Sequence, residues 1–267
     1  MTQRSARSAD GTNIVSHSSG AGRPLLLVSG ALSTSDLWKR VLPLLQEGRS
    51  VEAIDRRGRG SSENRAPYAP EREIEDLLAV IAAHDGPVDL LGHSSGAILS
   101  LQVAARAPAN LARLIAYEPP VFFGEPDSIA PDLPERLEAL LESGRPADAI
   151  DTFLREGPRQ SEAELVAMKA GPMWPNTLKN LAHTVPYDAR VQRSFSADPS
   201  ELGKIRIPTL VLVGGESPPR MRSGSEAVAA RLPHAELREI AGQRHMAMLG
   251  APASFAAAVT EFLAAHP

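Results

Sequence analysis

A serine held between two glycines where a strand meets a helix constrains this chain more than any other feature. Gly92-His93-Ser94-Ser95-Gly96 follows the apolar run Val88-Asp89-Leu90-Leu91 and precedes the helical stretch Ala97 to Ala104. A turn this sharp forces its central residue into a strained backbone conformation, and the flanking glycines leave room for the two arms to cross. The pattern reads as a nucleophile elbow, which requires a strand before it, a helix after it and a sheet to stand on.

The rest of the chain supplies that sheet. Short β-rich runs alternate with longer helical ones, as in a mostly parallel central sheet flanked by helices. Strands are predicted at 25–28, 51–54, 88–91, 114–117, 209–213 and 236–240, with a weaker initial one at 12–16. Helices are predicted near 38–47, 70–84, 95–106, 223–232 and 252–265, several opened by proline. Between Tyr117 and Thr209 the rhythm breaks. About ninety proline-rich residues carry helical patterns but no strand, too many for a loop. Residues 119–204 are therefore expected to form an inserted helical cap, with helices near 133–142, 146–156 and 161–170, over a core built from 1–118 and 205–267.

Composition excludes several classes of function. In 267 residues, 43% are hydrophobic and 22% charged, the net charge is −4, and no lysine or arginine run offers a footprint for nucleic acid or an anionic membrane. The absence of cysteine removes disulfides and thiolate metal sites. No His/Asp/Glu cluster has metal-ligand spacing, so neither metal nor cofactor is expected. No signal-type apolar stretch follows the polar residues 1–10, and none is long enough to span a bilayer. A cytoplasmic protein, monomer or homodimer, acting on a small hydrophobic molecule is the expectation.

These markers together resemble the α/β-hydrolase fold superfamily, from about Gly11 to Ala265. Besides the elbow, Val28-Ser29-Gly30-Ala31 sits where that superfamily carries a His-Gly turn, with Ser29 in place of the histidine. Ile54 to Ser62 resembles its Asp-x-x-Gly-x-Gly-x-Ser loop. The resemblance implies Ser94 as nucleophile and His245, after the last predicted strand, as the base that a serine hydroxyl needs. It also implies an oxyanion hole from the backbone N–H groups of Ser95 and Ala31, with Gly30 as the nearby alternative to Ala31.

The acid departs from the usual pattern. Where most members carry an aspartate after the strand that follows the cap, this chain has Ser217, which cannot hold a lasting charge beside an imidazolium. Glu216 and Glu118 are the two replacements. Glu118 is favoured because it leaves the sheet at the same edge as the elbow and Pro119-Pro120 end its strand there. Ser94 together with Glu118-Pro119-Pro120 also resembles the zearalenone-type lactonases of this superfamily, whose triad takes its glutamate from that strand end and whose cap tryptophan has a counterpart in Trp174. The expected activity is hydrolysis of an ester or lactone. Thioesterase, C–C hydrolase or lyase chemistry, or a receptor that keeps the triad for ligand binding, are the alternatives. Leu32, Trp38, Phe122, Trp174, His183 and Met246 are the expected substrate contacts, with Phe123 and Met173 as further apolar neighbours.

Overall fold

The structure, a computed structural model, describes residues 1–121, 123, 129–196 and 199–267. Eight strands form one sheet: β1 (Thr2–Arg7), β2 (Asn13–Gly20), β3 (Arg23–Val28), β4 (Arg49–Ile54), β5 (Val88–His93), β6 (Leu111–Tyr117), β7 (Thr209–Gly214) and β8 (Ala235–Ile240). Eleven α-helices are described: α1 (Leu42–Leu45), α2 (Pro70–Ala82), α3 (Ser95–Ala105), α4 (Leu133–Glu142), α5 (Pro146–Glu156), α6 (Glu162–Ala170), α7 (Trp174–Asn180), α8 (Val185–Ser196), α9 (Pro219–Ala229), α10 (Ala247–Gly250) and α11 (Pro252–Ala265). The strand order is β1-β2-β4-β3-β5-β6-β7-β8. β1 and β2 pair antiparallel, β2 joins β4 antiparallel, and every later pair is parallel.

Strand periodicity sorts the core into two layers. On β3, Leu26 and Val28 face one way and pack with Ile74 and Leu77 of α2, Ile98 and Leu101 of α3 and Val228 of α9. Leu25 and Leu27 face the other way, against Leu42 and Leu45 of α1 and Phe255, Val259 and Phe262 of α11. A strand buried on both sides reads as a continuous apolar run, which is why β3 and β7 stand out in the sequence, while β5 is broken by the buried Asp89, which accepts from Arg113 of β6.

The order of strands also places the site. After β3 the chain adds β4 on one side and then crosses to lay β5 on the other. In open parallel sheets, the crevice at the carboxyl ends of two strands where the order reverses is where ligands bind. Here the Ser29-Gly30-Ala31 turn leaves β3, and Ser94 leaves β5, at that point.

Helices α4 to α8 are inserted between β6 and β7 and carry their own apolar cluster, with Leu133, Leu137, Ile150, Phe153, Leu165 and Val185 at its centre. Two of these helices and one strand were not expected. β1 is polar and exposed along most of its length, and is held by its backbone ladder to β2, by Ala6 packed on the core and by the 3.5 Å pair of Arg4 with Glu52. α7 buries no residue, and the first turn of α8 contains Pro186 and the buried Asp188, so neither shows an apolar stripe. The expected 38–47 helix is instead a short 3₁₀ turn, 35–38, followed by α1. Among the described residues, no helix is long and apolar enough to cross a membrane.

Candidate active site

Ser94 sits at the elbow with φ 54° and ψ −125°, a conformation that costs an L-residue on the order of 1–3 kcal/mol. Its backbone is fastened on both sides. Ser94 N–H donates to the Tyr117 carbonyl at 2.9 Å, and its own carbonyl accepts from Ala97 N at 2.8 Å to start α3. The packing leaves no alternative to glycine at position 96, where a Cβ would lie 2.4 Å from the Val28 carbonyl oxygen. At position 30 a Cβ would lie 2.8 Å from the Ser94 Cβ, so the turn after β3 approaches the elbow as closely as a backbone can.

Glu118 and His245 meet beside this turn. Glu118 is fully buried at the end of β6, also in the left-handed region with φ 46°. Its Oε2 accepts from His245 Nδ1 at 2.6 Å. Its Oε1 accepts from Gly214 N at 2.7 Å and from the Ser217 hydroxyl. Burial by itself would raise the pKa of this carboxyl. The hydrogen bonds and the charge of His245, with Ser217 and Gly214 in support, outweigh it and hold Glu118 below the usual carboxylate range. Glu216 is exposed and contributes its backbone N–H to Gln243 instead. Thus Ser217, at the position where most members of the superfamily carry an aspartate, donates its hydroxyl to the Glu118 carboxylate.

Two residues whose part could not be read from the sequence fix the turn that carries His245. His93 lies against His245 with ring centroids 4.5 Å apart, and its Nε2–H donates to the His245 carbonyl at 2.9 Å. Burial, with the nearby charge of His245, pushes the pKa of His93 far down, so the ring is neutral and donates from one nitrogen. The Tyr117 hydroxyl donates to the Arg244 carbonyl at 2.5 Å. Among the described residues the Ser94 hydroxyl has no hydrogen-bond partner, and serine-to-base bonds often tighten only in the substrate complex.

The backbone N–H groups of Ser95 and Ala31 are likewise free of partners among the described residues. The first is an orphan donor at the start of α3, the second belongs to the turn pressed against the elbow. Such donors can stabilise an oxygen that gains negative charge.

Beneath them lies a fully buried ionic network that the sequence did not announce. Arg56 Nε and Nη2 donate to the two oxygens of Glu73 at 2.7 and 2.9 Å. Arg56 Nη1 reaches Asp188 Oδ1 at 2.9 Å and Ser95 Oγ at 3.0 Å, and Arg59 Nη2 reaches Asp188 Oδ2 at 2.8 Å. Two cations face two anions, with Asp188 contributed by the inserted α8. Burial would raise the pKa of Asp188 and Glu73, but the two arginines hold both below the ordinary range. A carboxyl with a lower pKa in the folded chain binds fewer protons folded than unfolded. Its stabilisation is complete above the unfolded value of about 4 and is lost as pH falls through the folded one. The urea midpoint should therefore ease downward below about pH 6.5, where the unfolded chain protonates a histidine that the fold keeps neutral at position 93, and fall steeply below about pH 4 as Glu73 and Asp188 lose their advantage. A midpoint whose fall does not steepen between about pH 4 and pH 3 would show that these carboxyls are not held low.

The expected substrate contacts divide. Leu32 packs at the edge of the inserted helices' cluster beside Ala31, and Trp174, the first residue of α7, packs on the same cluster. Met246 is 40% exposed next to His245. His183 is exposed, donates from Nε2 to the Gly58 carbonyl at 2.9 Å, and lines an open groove of about 540 Å³ with Leu178 and Lys179. Trp38 is a correction. It has no accessible surface and packs edge-on against His93 and beside Phe255, so it supports the elbow from within the core. Phe123 also turns away, under the guanidinium of Arg231 and against the α2–α3 side of the sheet. Met173 is 60% exposed. Phe122 lies outside the described residues. Among the described residues no group of His, Asp and Glu is arranged to hold a metal ion.

The sequence profile of the alpha/beta hydrolase family matches residues 25–258. The crystal structure of an alpha/beta hydrolase from Sphaerobacter thermophilus is similar with a TM-score of 0.89 and 38% identity, over 97% of this chain and 100% of that one. Among proteins of assigned activity, the (E)-2-((N-methylformamido)methylene)succinate hydrolase of Acinetobacter baylyi is 26% identical over 93% of each chain. A pimeloyl acyl-carrier-protein methyl ester esterase of Neisseria meningitidis is 28% identical over 91% of this chain and 77% of its own. The fold, the elbow and a family profile spanning most of the sequence agree: this chain belongs to the alpha/beta hydrolase family.

Proposed function

We propose that this protein is a serine hydrolase that cleaves a carboxylic ester or lactone of a small hydrophobic substrate with Ser94, His245 and Glu118. The observation that carries the reading is the 2.6 Å contact between His245 Nδ1 and a buried glutamate whose other oxygen is already satisfied. Glu118 is thereby left to do one thing: hold the imidazole so that Nε2 is the free, basic nitrogen.

In the proposed reaction the Ser94 oxygen attacks the carbonyl carbon while His245 Nε2 takes the hydroxyl proton. The carbonyl oxygen becomes an oxyanion that Ser95 N–H and Ala31 N–H stabilise. Collapse of the tetrahedral intermediate breaks the bond to the alkoxide, which leaves with the proton from His245. Water, deprotonated by His245, then attacks the acyl-enzyme and releases the acid and Ser94. In this reading the inserted helices cap the site. Leu32 and Trp174 on their cluster, and the 3.5 Å ion pair between Glu164 of α6 and Arg244 beside His245, support that arrangement. The apolar character of Leu32, Trp174 and Met246 favours a hydrophobic acyl or alcohol group.

A panel of aryl esters and macrocyclic lactones tests the reading with the wild-type protein and with Ser94→Ala, Glu118→Ala and Glu216→Ala, each checked for folding. Turnover should vanish with Ser94→Ala and survive Glu216→Ala within about 3-fold, because that side chain is in solvent. A loss with Glu216→Ala comparable to that with Glu118→Ala would return the acid to the later turn. Absence of Ser94-dependent turnover on every substrate would favour a ligand-binding protein.

A further inference from the structure

Arg56 meets the reaction centre at two points that a simple anchor for the inserted helices does not require. With Nε and Nη2 committed to Glu73, its Nη1 converges on Asp188 Oδ1, on the Ser95 hydroxyl oxygen and, at 3.3 Å, on the Ser29 carbonyl. The Ser95 hydroxyl in turn donates to Asp188 Oδ1 at 2.8 Å, closing a three-membered ring of side chains. Each contact reaches a residue whose backbone borders the proposed oxyanion position. Ser95 carries one of the two donor N–H groups. The Ser29 carbonyl belongs to the peptide that ends in Gly30 N–H, one residue before Ala31. Both walls of the oxyanion site are thus tied to the same guanidinium nitrogen.

The tie is stiff because nothing in it can relax into water. Arg56, Arg59, Glu73 and Asp188 are all at most 2% exposed. Tyr68 donates to Glu73 Oε1 at 2.7 Å and stacks on Tyr187, the residue before Asp188, with ring centroids 3.8 Å apart and planes 5° from parallel. α8 is consequently held at two adjacent residues. A shift of that helix would pull on Arg56 and Ser95 together, and in a medium of low polarity such bonds resist it strongly.

We propose that Arg56 and Asp188, acting through the Ser95 hydroxyl and the Ser29 carbonyl, are positioning residues for the oxyanion donors, so that the placement of the inserted helix α8 sets the geometry of the reaction centre. The inference rests on the serine-hydrolase reading and adds to it a coupling between the insertion and the step at which charge develops. A donor displaced in this way weakens binding of the transition state while leaving the substrate's apolar contacts alone.

The test compares Ser95→Ala, which deletes one uncharged hydroxyl and keeps the backbone N–H, with Asp188→Asn, which removes the negative charge that Arg56 and Arg59 share. For each, kcat and KM are measured on an ester that the wild type hydrolyses in a Ser94-dependent way. The rate at which a p-nitrophenyl phosphonate ester labels Ser94 is followed by intact mass. The expected result for Ser95→Ala is a kcat lower by about 10-fold, a KM within about 2-fold and a labelling rate reduced in step with kcat. Asp188→Asn should follow the same pattern with a loss of about 100-fold. Should Asp188→Asn not fold, Ser95→Ala alone decides. Unchanged kcat and labelling in Ser95→Ala, or a loss confined to KM, overturns the coupling while the hydrolase reading stands. A wild type that neither turns over nor labels at Ser94 overturns both.

Discussion

Ser94→Ala is expected to lower kcat by at least about 10⁴-fold without loosening the fold, and Ser94→Gly to lose as much activity while unfolding at a higher denaturant concentration. The two substitutions separate chemistry from backbone conformation. Both remove the oxygen proposed to attack substrate, and Ser95, whose hydroxyl is committed to Asp188, is not placed to replace it. Alanine inherits the strain of φ 54°, ψ −125°, because its Cβ meets the same backbone atoms that the serine Cβ does. Glycine has no Cβ and reaches this region freely, which relieves about 1–3 kcal/mol. Against that stands the greater freedom of glycine in the unfolded chain, about 0.5–1 kcal/mol. The balance leaves a gain of about 1 kcal/mol, which a urea melt resolves if the slope stays constant. A lower midpoint for Ser94→Gly would mean that the elbow stores no strain. Residual activity above about 1% of wild type in Ser94→Ala would mean that another group can serve as nucleophile.

The features legible in the sequence were those that local rules dictate. An elbow needs glycines at fixed spacing, a strand buried on both faces needs an unbroken apolar run, and a helix opened by proline announces its first turn. α4 and α5 therefore appear at the residues expected. What could not be read depends on partners far away in the chain. β1 is a strand because β2 offers a ladder and the core beside α2 takes up Ala6. Arg56 and Arg59 sit in a loop of polar residues that gives no sign of burial, and their shared partner Asp188 comes from a helix whose pattern its own buried charge disrupts. Trp38 lay close to a turn expected to line the pocket, and burial from the side of α11 makes it core. Ser217 is the sharpest case. Its residue type rules it out as an acid, yet only the folded chain shows that its hydroxyl reaches the Glu118 carboxylate, the acid of the proposed triad.

That contact leads to the second large effect. Glu118→Ala is expected to cost about 10³- to 10⁴-fold in kcat, since His245 then loses the partner that fixes its tautomer and steadies its positive charge. The space vacated is bounded by Ser217, whose oxygen already touches Glu118 Oε1, and by Gly214 N. Adding Ser217→Asp to Glu118→Ala would introduce a carboxylate within reach of the same imidazole nitrogen and the same backbone donor. The double variant should therefore recover at least about 10-fold of the lost kcat. Alone, Ser217→Asp should do harm, because two carboxylates facing each other in a buried site cannot both ionise, and Glu118 would be pushed toward protonation. The sign of the Ser217→Asp effect thus reverses with the residue at 118, the mark of two positions acting on one group. A double variant no more active than Glu118→Ala would show that a carboxylate at 217 cannot align with His245. Activity in Glu118→Ala within about 10-fold of wild type would show that the imidazole is oriented by His93 and the backbone around it rather than by the glutamate.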